Sequence, residues 1–151
     1  MRELGSTSYR SASISAYLVC EVLVINYFGP LTVAGWLAAA TYATQVAEPH
    51  EYRGVLARMD RAVMMVTPEE ALVTPATRSA LIRTKIPGAV VCRIGDHTAL
   101  DAVCVKLLEA GYMRRAFTDA LDAFLWVRRE AHAAPGRKLA PRDALHPRSI
   151  A

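Results

Sequence analysis

The chain has 151 residues and a mass of 16.5 kDa, enough for one domain with a core of its own. Apolar residues make up 53% and charged residues 21%, which excludes disordered and collagen-like classes. The net charge of +4 lies wholly in residues 128–151, which hold six basic and two acidic residues, while residues 1–127 balance at twelve of each. The basic character therefore describes a tail and not the body.

Residues 1–11 are polar, mixed in charge and without the apolar core of a signal peptide, and they read as a flexible N-terminus. A strand pair follows, Ser11–Val19 and Glu21–Phe28, rich in β-branched and aromatic residues. No strong turn signal separates the two. Gly29-Pro30 then reads as a turn and Thr32 as the cap of a helix over about 33–46, whose apolar face is Trp36, Ala39, Ala40, Ala43 and Val46. Val22 to Thr44 is a run of 23 residues without a formal charge, long enough to cross a bilayer. A strand, a Gly-Pro turn and an Ala-rich helix account for it better, so no membrane span is expected.

Arg53–Asp60 reads as a strand with Asp60 at its carboxyl end, and Ala62–Val66 either extends it or forms a buried loop. Thr67-Pro68-Glu69-Glu70 is a helix opening, with Thr as cap, Pro first and Glu at the third position. That helix breaks at Thr74-Pro75 and resumes to about Arg83. Ala89–Ile94 suits a buried parallel strand. Gly95-Asp96-His97-Thr98 turns into a helix striped by Leu100, Val103, Cys104, Leu107 and Leu108 and ended by Gly111. Arg114–Phe117 is a short last strand, and Thr118-Asp119 caps a closing helix whose apolar face is Leu121, Phe124, Leu125 and Val127. The order ββαβαβαβα predicts an α/β domain over 12–132, a mixed sheet of about four to five strands with helices packed on it. Residues 133–151, with three prolines and a basic excess, read as a disordered tail. No aromatic residue sits among its cations to stack a base, so nucleic-acid binding is not expected.

Three cysteines with no C-x-x-C spacing support neither a disulfide framework nor a zinc finger, and four scattered histidines offer no metal spacing. No cofactor motif is present. Cys92 and Cys104 fall in apolar stretches and read as packing thiols in a reducing cytoplasm.

The pattern resembles the STAS or SpoIIAA-like family, small α/β modules that include the anti-sigma-factor antagonists. Four pieces carry the likeness: Ile25–Gly29 with Leu31-Thr32 behind it, Arg53–Asp60, Ala89-Val90-Val91 leading into a helix, and Arg115–Asp119 with Ala123 and Trp126 after it. Antagonists of that family carry an Asp-Ser-x-Gly turn whose Ser is phosphorylated to release the partner. Here the corresponding stretch is Asp60–Pro68, without that turn, and Thr67 is the nearest hydroxyl at the helix start. The resemblance implies a non-enzymatic, regulatory protein-binding role without the phospho-switch. Thr67 reads as a helix cap.

Candidate site residues gather at two predicted strand-to-helix turns. Asp60, Arg61, Met64 and Thr67 follow the central strand, and Asp96 and His97 open a later helix. Open α/β sheets place ligands at such carboxyl ends. A solvated ion pair explains Asp60 and Arg61 without function, core packing explains Met64, and helix capping explains Asp96. His97 is of the residue type that serves as acid or base but lacks a nucleophile beside it in sequence. The rim of Asp60–Thr67 and Asp96–Thr98 is the expected partner surface. A small apolar ligand held along Val22–Ala43 is the alternative, and pairing of an exposed first strand with a second copy would give a homodimer.

Overall fold

The computed structural model describes residues 1–9, 12–67, 69–70 and 86–133. Among them lie β1 (Arg2–Tyr9), β2 (Ala12–Val19), β3 (Val22–Leu31), α1 (Val33–Ala47), β4 (Gly54–Met64), β5 (Gly88–Val91), α2 (His97–Glu109), β6 (Arg114–Phe117) and α3 (Ala120–Ala133). The strands form one mixed sheet in the order β1-β2-β3-β4-β5-β6, the first three antiparallel and β3 to β6 parallel. The α/β architecture is the expected one, with six strands in place of four to five. The added strand is β1. Residues 2–9, read from sequence as flexible, pair with β2 along their length, with Tyr9 opposite Ala12 and Arg2 opposite Leu18. The helix expected over about 67–83 lies outside the described residues beyond its first turn, as does the tail beyond residue 133.

Backbone chemistry explains the turns. Cys20 and Glu21 form the two-residue loop between β2 and β3, and both have positive φ, 47° and 64°. A twisted two-residue hairpin loop needs that conformation. Glu21 is held there by Arg53, whose N–H donates to the Glu21 carbonyl at 2.7 Å and whose Nε lies 3.1 Å from its carboxylate. Gly29-Pro30 is not a turn. β3 runs through it to Leu31, with Pro30 opposite Val63 of β4. Thr32 caps α1 as expected, its hydroxyl accepting from the Gly35 N–H at 3.1 Å. Asp119 caps α3, accepting from Asp122 N–H at 2.9 Å. Gly111, at φ 95°, ends α2 with paired bonds from Gly111 N–H to Leu108 O and from Tyr112 N–H to Leu107 O.

Helices cover both faces of the sheet. α1 and α2 lie on one face, over a core of Leu23, Ile25, Tyr27, Trp36, Ala43, Val55, Met59 and Val103. Consecutive parallel strands stepping in one direction, joined by crossovers of one hand, place their helices this way. α3 lies on the other face, over Val22, Leu56, Ala89 and Val91, and crosses β4, β5 and β6. Its buried residues are Ala123, Val127 and Ala131. Leu121 and Leu125, expected on its apolar face, are 64% and 54% exposed. The helix seats close to the sheet on small side chains, and the larger ones turn outward. Leu108 of α2 likewise faces out.

Two glycines mark close approaches. A Cβ on Gly88 would run into the guanidinium of Arg114, a buried cation that donates to Ile86 O at 2.8 Å and Met113 O at 2.9 Å. Burial lowers the Arg114 pKa to about 10. A Cβ on Gly54 would overlap Val127 of α3. Overpacking of this kind costs about 1–3 kcal/mol, so Gly54→Ala is expected to lower the urea midpoint accordingly. Gly95→Ala, whose Cβ would meet nothing within 4 Å, should change stability by less than about 0.5 kcal/mol. Equal midpoints for the two variants would contradict the tight seating of α3.

Candidate functional site

The carboxyl end of the parallel strands is shaped by unequal lengths. β4 has 11 residues and β5 has 4. β5 pairs only with Val55–Arg58, so β4 continues beyond it with β3 alone as its ladder partner. A bulge falls in this stretch: Asn26 and Phe28 of β3 stand opposite Arg58 and Arg61, so β4 holds one residue more. The extra residue reverses the alternation of side chains. Before it Val55 and Met59 join the core under α1 and α2; after it Ala62 and Met64 do. Arg61 and Val63 consequently share the α3 side with Phe28, and the Arg61 guanidinium lies over the Phe28 ring, 5.9 Å from its centre.

Asp60 is inside β4 and not at its end, which corrects the sequence reading. Its carboxylate takes a two-pronged bond from Arg58, Nε at 3.2 Å and Nη2 at 2.7 Å. Its carbonyl, on the stretch that β5 leaves unpaired, accepts from Arg93 Nε at 3.0 Å. Partial burial raises the Asp60 pKa. The bonds from Arg58 and the backbone and the charges of Arg58 and Arg61 outweigh that, and the carboxyl sits below its ordinary 3.8.

Met64, Thr67 and Asp96 meet at a shallow crevice of about 40 Å³, closed by Val66, Ala99, Leu100 and Val103. Thr67 and Glu70 form a reciprocal capping box: Glu70 N–H donates to the Thr67 hydroxyl at 3.2 Å, and Thr67 N–H donates to the Glu70 carboxylate at 3.0 Å. Asp96 stands at the capping position of α2, after a 3₁₀ turn over Ile94–Asp96, yet its side chain makes no capping bond. The capping role expected of it is therefore not the one it plays. His97 points away from the crevice, with Nε2 3.4 Å from Ala116 O of β6.

The six expected residues thus gather at one end of the sheet but divide between its faces. Met64, Thr67 and Asp96 share the crevice on the α1/α2 side. Asp60 and Arg61 join Arg58 on the α3 side, and His97 leans on the edge strand. Sequence reasoning missed Arg58 and Arg93, which fix Asp60, and Ile94, a large apolar side chain left 85% exposed. The signal for Arg93-Ile94 was their place at the end of an apolar strand, where solvent begins. Met64 packs against the core, so the exposed methionine of the rim is Met65.

Cys92 lies beneath the rim. Burial, reinforced by the nearby carboxylates of Asp96, Asp60 and Asp101, pushes its thiol up to about 11. Cys104 is buried as well, and burial pushes it to about 12. Both stay protonated near neutral pH, as packing thiols do. Among the described residues no group of three or more His, Cys, Asp or Glu side chains gathers as a metal site requires, and no helix is long and apolar enough to cross a membrane.

No family model matches the chain, and no curated protein matches it.

The lowered pKa of Asp60 gives a pH test. A depressed carboxyl contributes stability that is fully present above its unfolded value and is lost as pH falls through the folded one. As the pH drops below 3.8, the native chain should lose thermal stability more steeply than Asp60→Asn. Parallel pH profiles would show that the Arg58–Asp60 pair contributes nothing.

Proposed function

We propose that the chain is a non-enzymatic, STAS-like regulatory module that binds a protein partner through the carboxyl-end rim of its sheet, in the cytoplasm and without an Asp-Ser-x-Gly phospho-switch. The observation that carries this reading is the exposure of large apolar side chains around the rim. Val63, Met65 and Ile94 are 46%, 58% and 85% exposed, beside a shallow crevice of about 40 Å³. Apolar groups clustered with arginines on a surface are what partner hot spots are made of. The capping box at Thr67–Glu70 supports a structural role for Thr67, because its hydroxyl is already engaged.

Site-specific photo-crosslinking from Met65 tests the reading. One partner should be captured, and Arg61→Ala with Ile94→Ala should abolish capture while leaving the melting temperature nearly unchanged. Capture that is indifferent to both substitutions would sink the assignment of the rim.

A cavity favours a second reading, a carrier of a small apolar ligand. It measures about 230 Å³, lies between α1 and the β1–β2 hairpin, and is lined by Tyr9, Ile14, Leu31, Gly35, Ala39 and Tyr42 among others. That is below the roughly 300–1,000 Å³ of drug-sized ligand sites, so the occupant would be small. Native mass spectrometry of gently purified chain should show an added mass if this reading holds; a bare chain counts against it.

A further inference from the structure

Three arginines of the rim are held by different contacts. Arg58 is locked to the Asp60 carboxylate, and Arg93 is held by its Nε on the Asp60 carbonyl. Arg61 rests over Phe28. Arg61 and Arg93 are both exposed, and among the described residues neither has an ion-pair partner. Arg58 and Arg61 thus lie near the Asp60 carboxylate while Arg93 is held on the Asp60 carbonyl, and against Asp60 and Asp96 the three arginines leave one positive charge in excess. Val63 follows Arg61 two residues along the same strand face, and Ile94 follows Arg93 directly.

We infer that this cluster is the recognition point of the rim and that its occupant is an acidic segment of a partner protein. Carboxylates of that segment pair with Arg61 and Arg93, and its apolar side chains lie on Ile94 and Val63. The inference rests on the partner-binding reading above and adds the chemistry of the partner. Charge complementarity decides the occupant. The two outward cations are preset by contacts that leave their terminal nitrogens available: a backbone carbonyl for Arg93 and a ring face for Arg61. Arginine in such settings suits bidentate carboxylate recognition. A nucleic acid fits less well. The Phe28 ring is already covered by Arg61 and is not free to stack a base, and residues 1–127 carry no net charge to draw a long polyanion.

The test uses the full chain and a fluorescein-labelled peptide of repeating Glu-Glu-Leu, with Gln-Gln-Leu as its neutral counterpart, read by anisotropy at low and at physiological salt. The acidic peptide should bind and weaken with salt. Arg61→Glu with Arg93→Glu should reduce affinity by about tenfold or more, and Arg61→Gln with Arg93→Gln should show the same direction without reversing charge. Arg128→Glu with Arg129→Glu on α3 should leave binding within about twofold. Absent binding, equal binding of the neutral peptide, insensitivity to the Arg61 and Arg93 variants, or stronger binding of an oligodeoxythymidylate or of inorganic phosphate would overturn the proposal. If the Met65 crosslinks persist while the charge variants change nothing, only the acidic character of the partner is wrong. If those crosslinks fail too, the rim reading falls with it.

Discussion

Strand β4 outlasts β5 by more than half of its own length, and among the described residues β5 leaves one edge of that overhang without a strand partner. Arg93, emerging where β5 ends, answers this with a side-chain donor on the Asp60 carbonyl. The bond is exposed, so its net contribution is that of a charge-assisted hydrogen bond in exchange with water. The same contact ties the β5–α2 connection to β4, so the two segments that make up the rim are fixed relative to each other. The bulge beside Asp60 then sets which side chains face which way. Without the extra residue Met64 would leave the core while Arg61 entered it.

The proposed function draws on that geometry. Parallel strands that end together leave a crevice beyond their carboxyl ends, where open α/β sheets bind ligands. Here the overhang of β4 divides this region. On the side of α1 and α2 the described residues form a shallow notch at Met64, Thr67 and Asp96. On the side of α3 the arginines gather around Asp60, with exposed apolar side chains next to them in sequence. The proposed protein-binding role draws on a surface of that composition.

Much of the fold was legible because its stops and starts are written in local chemistry. Thr32, Thr67 with Glu70, Gly111 and Asp119 each perform the capping role that their type and position announce. β1 was not legible, because an edge strand with Ser6 and Ser8 on a polar face carries no apolar alternation to betray it. The orientation of α3 was misread because Leu121 and Leu125 outweigh Ala123 and Ala131 in any periodic reading, although Ala123, Val127 and Ala131 are the buried residues and Val127 is the one against Gly54. In the site, Asp60 and Arg61 stood out as charges after an apolar run. The bulge that separates their faces from that of Met64 has no local signature, and Arg58 and Arg93 acquire their meaning only when β4 and the β5–α2 turn are brought together.

A backbone NMR titration of the full chain with the Glu-Glu-Leu peptide examines the rim most directly. Amide shifts confined to residues 58–65 and 93–97 are what this account requires. Shifts centred on α1 and the β1–β2 hairpin, or on the outer face of α3, would place recognition elsewhere and contradict it.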